Sequence, residues 1–378
     1  MKRILLLAFL IVFPASISLG QNARIDSLLN LLNVHDDPVA VDVADTFRLK
    51  LFIEIANESL RLNYKDITNS SLYAEFALNE VELLHYQRST RGAIGESFVN
   101  LKALDEAMRY YKQLMILFAK INDKHKAATV FNNIGHIYYV RKDYLTALDY
   151  FEKALSRDPN HAKAHYNRGL IYYFNGKLDL AMEDFDEAIA INREFYSAYY
   201  NRGIIYFEQN KLDDAISDFS YTLKNFPLHW NAHYNRGLAF FKQERYYYAM
   251  WDLDKVIKLQ PDFPDAYNTK ANIYFLHEKF DTSIIFYSMA LKRDSTLLMA
   301  YYNRGKAKFR LELYDESIAD MDIAIAMDPQ FGEAFYSRCH AYYLKGEYTA
   351  ALHNILYAAS FGVKVDQKIM DELQRLGN

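Results

Sequence analysis

Downstream of about residue 128, apolar positions trace two helical faces that break and restart at a constant interval. The hexapeptides AHYNRG (164–169), AYYNRG (198–203), AHYNRG (232–237) and AYYNRG (300–305) mark the interval as 34 residues, with VFNNIG (130–135), AYNTKA (266–271) and AFYSRC (334–339) in phase. Counting Ala162 as position 1, position 8 is Gly135, Gly169, Gly203, Gly237 and Gly305, with Ala271 and Cys339 in the other copies. Position 11 is Tyr138, Tyr172, Tyr206, Phe240, Tyr274 and Tyr342, interrupted by Lys308. Position 20 is Ala or Ser throughout, and position 24 runs Phe151, Phe185, Phe219, Leu253, Tyr287, Met321, Ile355. Asn175-Gly176, Gln209-Asn210 and Lys345-Gly346 break each period into a helix A and a helix B. Pro159, Pro227, Pro261 and Pro329 close helix B, because proline cannot continue a helix without losing a hydrogen bond. A single pair cannot bury both of its faces, so the pattern predicts pairs stacked in file.

The small, aromatic and terminal-proline positions together resemble the tetratricopeptide repeat (TPR) family. That resemblance implies an all-α TPR solenoid, a right-handed superhelix of helix-turn-helix repeats, with seven copies over 127–361. Residues 44–126 read as two divergent helical pairs. The second spans 88–124, with Gly95, Phe98, Ala107 and Tyr111 at positions 8, 11, 20 and 24. Ala56 and Ala77 mark close contacts in the first. Residues 21–43 predict a short helix (23–33) and a linker around Asp36-Asp37-Pro38. Residues 362–378 predict a capping helix, started by Asp366, whose Ile369, Leu373 and Leu376 cover the last repeat.

Lys2 and Arg3, the apolar run Ile4 to Phe13, and Ser18-Leu19-Gly20 form the pattern of a secretory signal peptide over 1–20, cut after Gly20. The run is too short to span a bilayer. The expected location is therefore periplasmic or secreted. With one cysteine, Cys339, no internal disulfide can form. The net charge of −4, with both signs interspersed, argues against nucleic acid as a partner. Gly (13) and Pro (7) are scarce, which argues against a turn-rich β architecture.

Where the family usually carries leucine at position 7, this chain has Arg168, Arg202, Arg236, Lys270, Arg304 and Arg338. Position 23 is Asp184, Asp218, Asp252 and Asp320, and the first copy lacks both, with Ile134 and Tyr150. The co-occurrence predicts partly buried structural Arg–Asp pairs between helices A and B, within one copy or between neighbours. No phosphate-binding loop, HExxH or nucleophile elbow is present, so no enzymatic activity and no cofactor are expected. His161/His165 and His229/His233 have i,i+4 spacing. His161 and His229 precede helix A and position 4 is a packing site, so packing is expected and metal binding is not.

Position 6 is Asn133, Asn167, Asn201, Asn235 and Asn303. The resemblance places it on the concave groove, where the row is similar to the asparagine ladder of the O-GlcNAc transferase TPR superhelix. An amide offers a donor and an acceptor to any peptide unit. Position 5 adds Tyr166, Tyr200, Tyr234 and Tyr302, whose rings suit either groove lining or scaffold packing. Lys163 alone fits the basic pattern of a carboxylate-clamp TPR, so that function is not expected. The expected function is a scaffold binding a protein or peptide segment in the groove, with no transmembrane segment in the mature chain. The alternative is an extracytoplasmic sensory input module.

Overall fold

The structure, a computed structural model, describes residues 44–61, 74–79, 81 and 97–376. The signal peptide, the short helix at 23–33 and Gly95 lie outside the described residues. The chain divides into two units, Met1–Arg193 and Glu194–Asn378. All regular structure among the described residues is helical.

The first unit contains α1 (Ala44–Arg61), a helical stretch at 74–79, α2 (Ser97–Lys120), α3 (Lys124–Val140), α4 (Tyr144–Arg157), α5 (Ala162–Phe174) and α6 (Leu178–Ile191). The second contains α7 (Tyr196–Glu208), α8 (Leu212–Asn225), α9 (Trp230–Lys242), α10 (Tyr246–Leu259), α11 (Pro264–Leu276) and α12 (Phe280–Arg293). It continues with α13 (Leu298–Arg310), α14 (Tyr314–Met327), α15 (Gly332–Leu344), α16 (Tyr348–Ser360) and α17 (Gln367–Leu376). Within each unit a helix packs on the one before it and the one after it, the consecutive pair packing of a TPR solenoid.

Each A–B pair is drawn together at position 8. A Cβ on Gly169 or Gly203 would lie 2.9 Å from the ring of Phe185 or Phe219, so only the bare backbone fits against the position 24 side chain. Position 15 turns the chain between the two helices with positive φ: Lys142, Gly176, Asn210, Glu244, Glu278, Glu312 and Gly346. The hydrogen bonds form a Schellman cap. Gly176 N donates to the Tyr173 carbonyl and Lys177 N to the Tyr172 carbonyl, both at 2.9 Å, and the same pair recurs at each turn.

Two readings of the sequence differ from the structure. Phe98 and Ala107 belong to one unbroken helix, α2, and not to an A–B pair with a turn between them. The intervening VNLKALDE holds no glycine or proline and is rich in good helix formers, so nothing stops the helix there. Ala107 and Tyr111 are buried, in one core with Ala56 and Ala77. At the other end Asp366 accepts from Lys368 N at 2.9 Å and Leu373 is buried against Cys339 and Ile355, but Leu376 is 47 % exposed. It falls in the last turn of α17, past the end of the apolar surface it was expected to cover.

Candidate functional site

Positions 5 and 6 are adjacent on helix A, and the position 6 amides of Asn167, Asn235 and Asn303 reach toward the preceding copy. In the first unit, Asn167 Nδ2 donates to Asn132 Oδ1 at 2.9 Å, and Asn132 Nδ2 donates to Asn133 Oδ1 at 3.2 Å. In the second, Asn235 Nδ2 donates to Tyr200 Oη at 3.1 Å, and Thr269, the position 6 residue of its copy, is hydrogen-bonded to Tyr234. Asn303 Nδ2 donates to Asn272 Oδ1 at 3.3 Å, while Asn201 Nδ2 donates back to the Ser197 carbonyl at 3.0 Å. The amide row therefore links copies through its donors. Among the described residues, the Oδ1 atoms of Asn167, Asn235 and Asn303 accept no hydrogen bond, and none of them is a buried orphan. Asn167, Asn235 and Asn303 are half-buried, so these acceptors are not sealed in the core. Asn133 is buried.

The tyrosines beside them are half-buried. Tyr166 and Tyr200 lie against the position 24 rings of their own copies, Phe185 at 5.8 Å and Phe219 at 5.9 Å. Tyr200 also meets His229 at 4.7 Å, Tyr234 meets Phe263 edge-on at 4.8 Å, and Tyr302 meets Phe331 at 4.9 Å. Burial, with the charge of Asp265 adding to it, pushes the Tyr234 phenol up to about 12. The Lys306 ammonium lies between the rings of Tyr302 (5.2 Å) and Phe275 (5.5 Å). The surface thus alternates amide oxygens with the edges of aromatic rings. Asn132 and Asn272 were missed by the sequence reading. Each stands where the repeat tally has another residue type, and that in-phase departure was the available signal.

The arginines at position 7 pair within their own copy. Arg168 grips Asp184 with Nε (2.9 Å) and Nη2 (2.8 Å), and Arg202 grips Asp218 with both at 2.8 Å. Arg236 holds Asp252 at 2.8 and 2.9 Å, and Arg304 holds Asp320 at 2.8 and 2.6 Å. The four carboxylates are buried. The same cations also reach position 25 of the preceding copy, a row the sequence reading did not single out. Arg236 and Arg304 donate Nη1 to Ser220 and Ser288, each at 3.0 Å. Lys270 and Arg338 have Phe286 and Asn354 at position 23, and they pair with Asp254 and Asp322 of the preceding copies. In these four copies each position 7 cation thus meets one carboxylate from the two rows.

The histidines are built into the scaffold. His161 and His229 are the N-cap residues of α5 and α9, their Nδ1 atoms accepting from Ala164 N (3.2 Å) and Ala232 N (3.1 Å). Burial holds the His161 imidazole down to about 4, so it accepts as a neutral ring. His165 contacts Asp184 through Nδ1 (3.0 Å) and the Pro159 carbonyl through Nε2 (3.0 Å). His233 does the same with Asp252 (2.7 Å) and Pro227 (3.1 Å). For His165, burial lowers the pKa, but these two hydrogen bonds outweigh it and raise the value. Among the described residues no group of three or more metal-ligating side chains converges, and no helix is long and apolar enough to cross a membrane.

Family models described as tetratricopeptide repeat match residues 128–161, 162–195, 200–247 and 302–360. No curated protein matches the sequence. Among solved structures, a tetratricopeptide repeat protein from Parabacteroides merdae is similar at 19% identity, covering 67% of this chain and 99% of that one (TM-score 0.48). The C-terminal part of a TPR repeat-containing protein from Cytophaga hutchinsonii matches at 17% identity over 62% and 98% (TM-score 0.48). Pseudomonas aeruginosa pilF matches at 17% identity over 55% and 94% (TM-score 0.48). Such repeats act as protein–protein interaction scaffolds and are typically non-catalytic. The 34-residue period, the stacked A–B pairs and the matching family models together identify the repeats of this chain as tetratricopeptide repeats in an all-α solenoid.

Proposed function

We propose that this protein is a non-catalytic adaptor that holds extended segments of another protein along positions 5 and 6 of the A helices within each unit. The observation that carries the reading is the unengaged amide oxygens of the half-buried Asn167, Asn235 and Asn303, each beside a half-buried tyrosine ring at its own or the neighbouring copy. An amide oxygen accepts from any peptide N–H, so it grips a backbone without asking for a sequence. The ring edges supply apolar area for alternate side chains. Because the amide donors are already tied to the preceding copies, the acceptors are held in place before a ligand arrives, which lowers the ordering cost of binding. The basic pair Lys2 and Arg3 ahead of the apolar run Ile4 to Phe13 supports a location outside the cytoplasm, in the periplasm or beyond the cell.

The test is capture of partners from a cell-envelope extract by the wild type and by Asn167→Ala/Asn201→Ala/Asn235→Ala. The variant should remain helical by circular dichroism and should retain partners at least roughly tenfold less well, as expected for losing several backbone contacts at about 1 kcal/mol each. A folded variant that captures every partner as efficiently as the wild type would remove the reading.

A further inference from the structure

The seven copies allow each position to be compared with its counterparts, and two departures meet at one place. Position 22 is Asp149, Glu183, Ser217, Ala319 and His353 in five copies and Ile285 in a sixth, but in the copy that starts at Trp230 it is Trp251. Position 33 is Asn160, Glu194, Asp262, Thr296 and Gln330 elsewhere, but Leu228 ahead of α9. Leu228 is 75% exposed and Trp251 49% exposed. Both line one open pocket of about 460 Å³, walled by α8, α9 and α10. Large apolar side chains left exposed at positions that face water in other copies point to an interaction surface.

The remaining wall narrows what can enter. Leu223, Pro227 and Leu259 extend the apolar lining, and Lys224, Lys255 and Lys258 bring three exposed ammonium groups. No lining residue is a carboxylate. The Lys255 ammonium sits 5.2 Å from the Trp251 ring centroid, and among the described residues none of the three lysines has an ion pair. The other polar side chains of the wall are already engaged. His233 uses both ring nitrogens, Arg236 is held by Asp252, and Ser220 accepts from Arg236. The pocket therefore offers apolar contact and positive charge, with little left to satisfy a ligand edge that carries donors and acceptors. A nucleobase needs such partners. An aliphatic or aromatic side chain flanked by carboxylates does not.

We propose that this pocket docks a protein segment in which a leucine or phenylalanine is flanked by acidic residues. The apolar side chain lies on Trp251 and Leu228, and the carboxylates meet Lys224, Lys255 and Lys258. The pocket shares no residue with the amide and tyrosine row, so it is a second binding surface and does not rest on the first.

The experiment is fluorescence anisotropy of a labelled Glu-Asp-Leu-Phe-Asp-Glu peptide with the full chain. The comparison peptides replace Leu-Phe by Gly-Gly, or every acid by its amide. The acidic apolar peptide should bind, both comparison peptides should bind at least roughly tenfold more weakly, and added salt should weaken binding through screening. Lys224→Gln/Lys255→Gln/Lys258→Gln should lose roughly tenfold or more, and Trp251→Ala roughly fivefold, as for an exposed aromatic anchor. All substituted pocket residues are exposed, so an unchanged urea midpoint will verify folding, and Trp251→Phe should restore most of the affinity. Failure of the acidic apolar peptide to bind would overturn the proposal. So would equal binding to the lysine variant, or displacement by ATP of a Gly-Gly peptide that binds as well.

Discussion

Asp218 shows what the position 7 and 23 rows do. Its carboxylate is nearly closed to solvent and takes two hydrogen bonds from Arg202, whose side chain is itself 18% exposed. Such a pair adds little over a well-packed apolar couple, but removing one member leaves the other desolvated. Asp218→Ala should therefore cost about 3 kcal/mol in urea denaturation. Arg202→Ile/Asp218→Tyr installs the residues that the first copy carries as Ile134 and Tyr150, and it should recover at least half of the loss. If Asp218→Ala costs less than about 0.5 kcal/mol, the range of an ordinary surface change, the pair is not a buried one. The existence of this pairing was legible in the sequence because both charges enter the repeat together. Its connectivity was not, since Arg202 has acidic residues at workable distances in its own copy and in the one before. Only side-chain geometry separates them. The capping role of His161 and His229 was also out of reach, because imidazole is an uncommon N-cap and composition gives no sign of it.

At the scale of the element, the turn between helices A and B sets a requirement that several copies meet poorly. Position 15 is left-handed in every copy, and Gly176 and Gly346 accept that conformation freely. Glu244, Glu278 and Glu312 do so with φ of 60°, 58° and 61°, against the steric preference of an L-residue. Glu278→Gly should raise stability by about 0.5–1 kcal/mol, the relief of strain less the added freedom of glycine in the unfolded chain. An unchanged or lower urea midpoint would show that the turn is not strained. The turns were legible where glycine or asparagine stands. The glutamate turns were placed by phase alone, because glutamate favours helices and offers no local stop signal. The same gap explains α2, where the repeat count sets Phe98 and Ala107 on two helices while the helix formers between them carry one helix straight through.

At the scale of the molecule, α17 follows the α15–α16 pair and packs on it, with Leu373 buried against Cys339, Ala351 and Ile355. Cys339 is the one thiol of the chain, and burial pushes it up to about 12, so it is doubly protected from alkylation. Leu373→Ala removes a buried aliphatic side chain, worth about 2–5 kcal/mol. It should raise the labelling rate of native Cys339 by about tenfold or more, since a local opening then suffices for access. A labelling rate equal to that of the wild type would mean that α17 does not cover the end of the stack.

The alternation at position 25 has a consequence for how such an array can grow. Ser220 and Ser288 stand before copies that bring their own aspartate, and Asp254 and Asp322 stand before copies that do not. Excise residues 230–263 alone, and Lys270 would face a serine behind and a phenylalanine beside it, a cation stranded without a counter-charge. Excise 230–297 as a block, and Arg304 would meet Ser220 with Asp320 still at hand. In this part of the chain the heritable module is the doublet of 68 residues, and a lineage that gains or sheds copies singly must mend a charge at the seam.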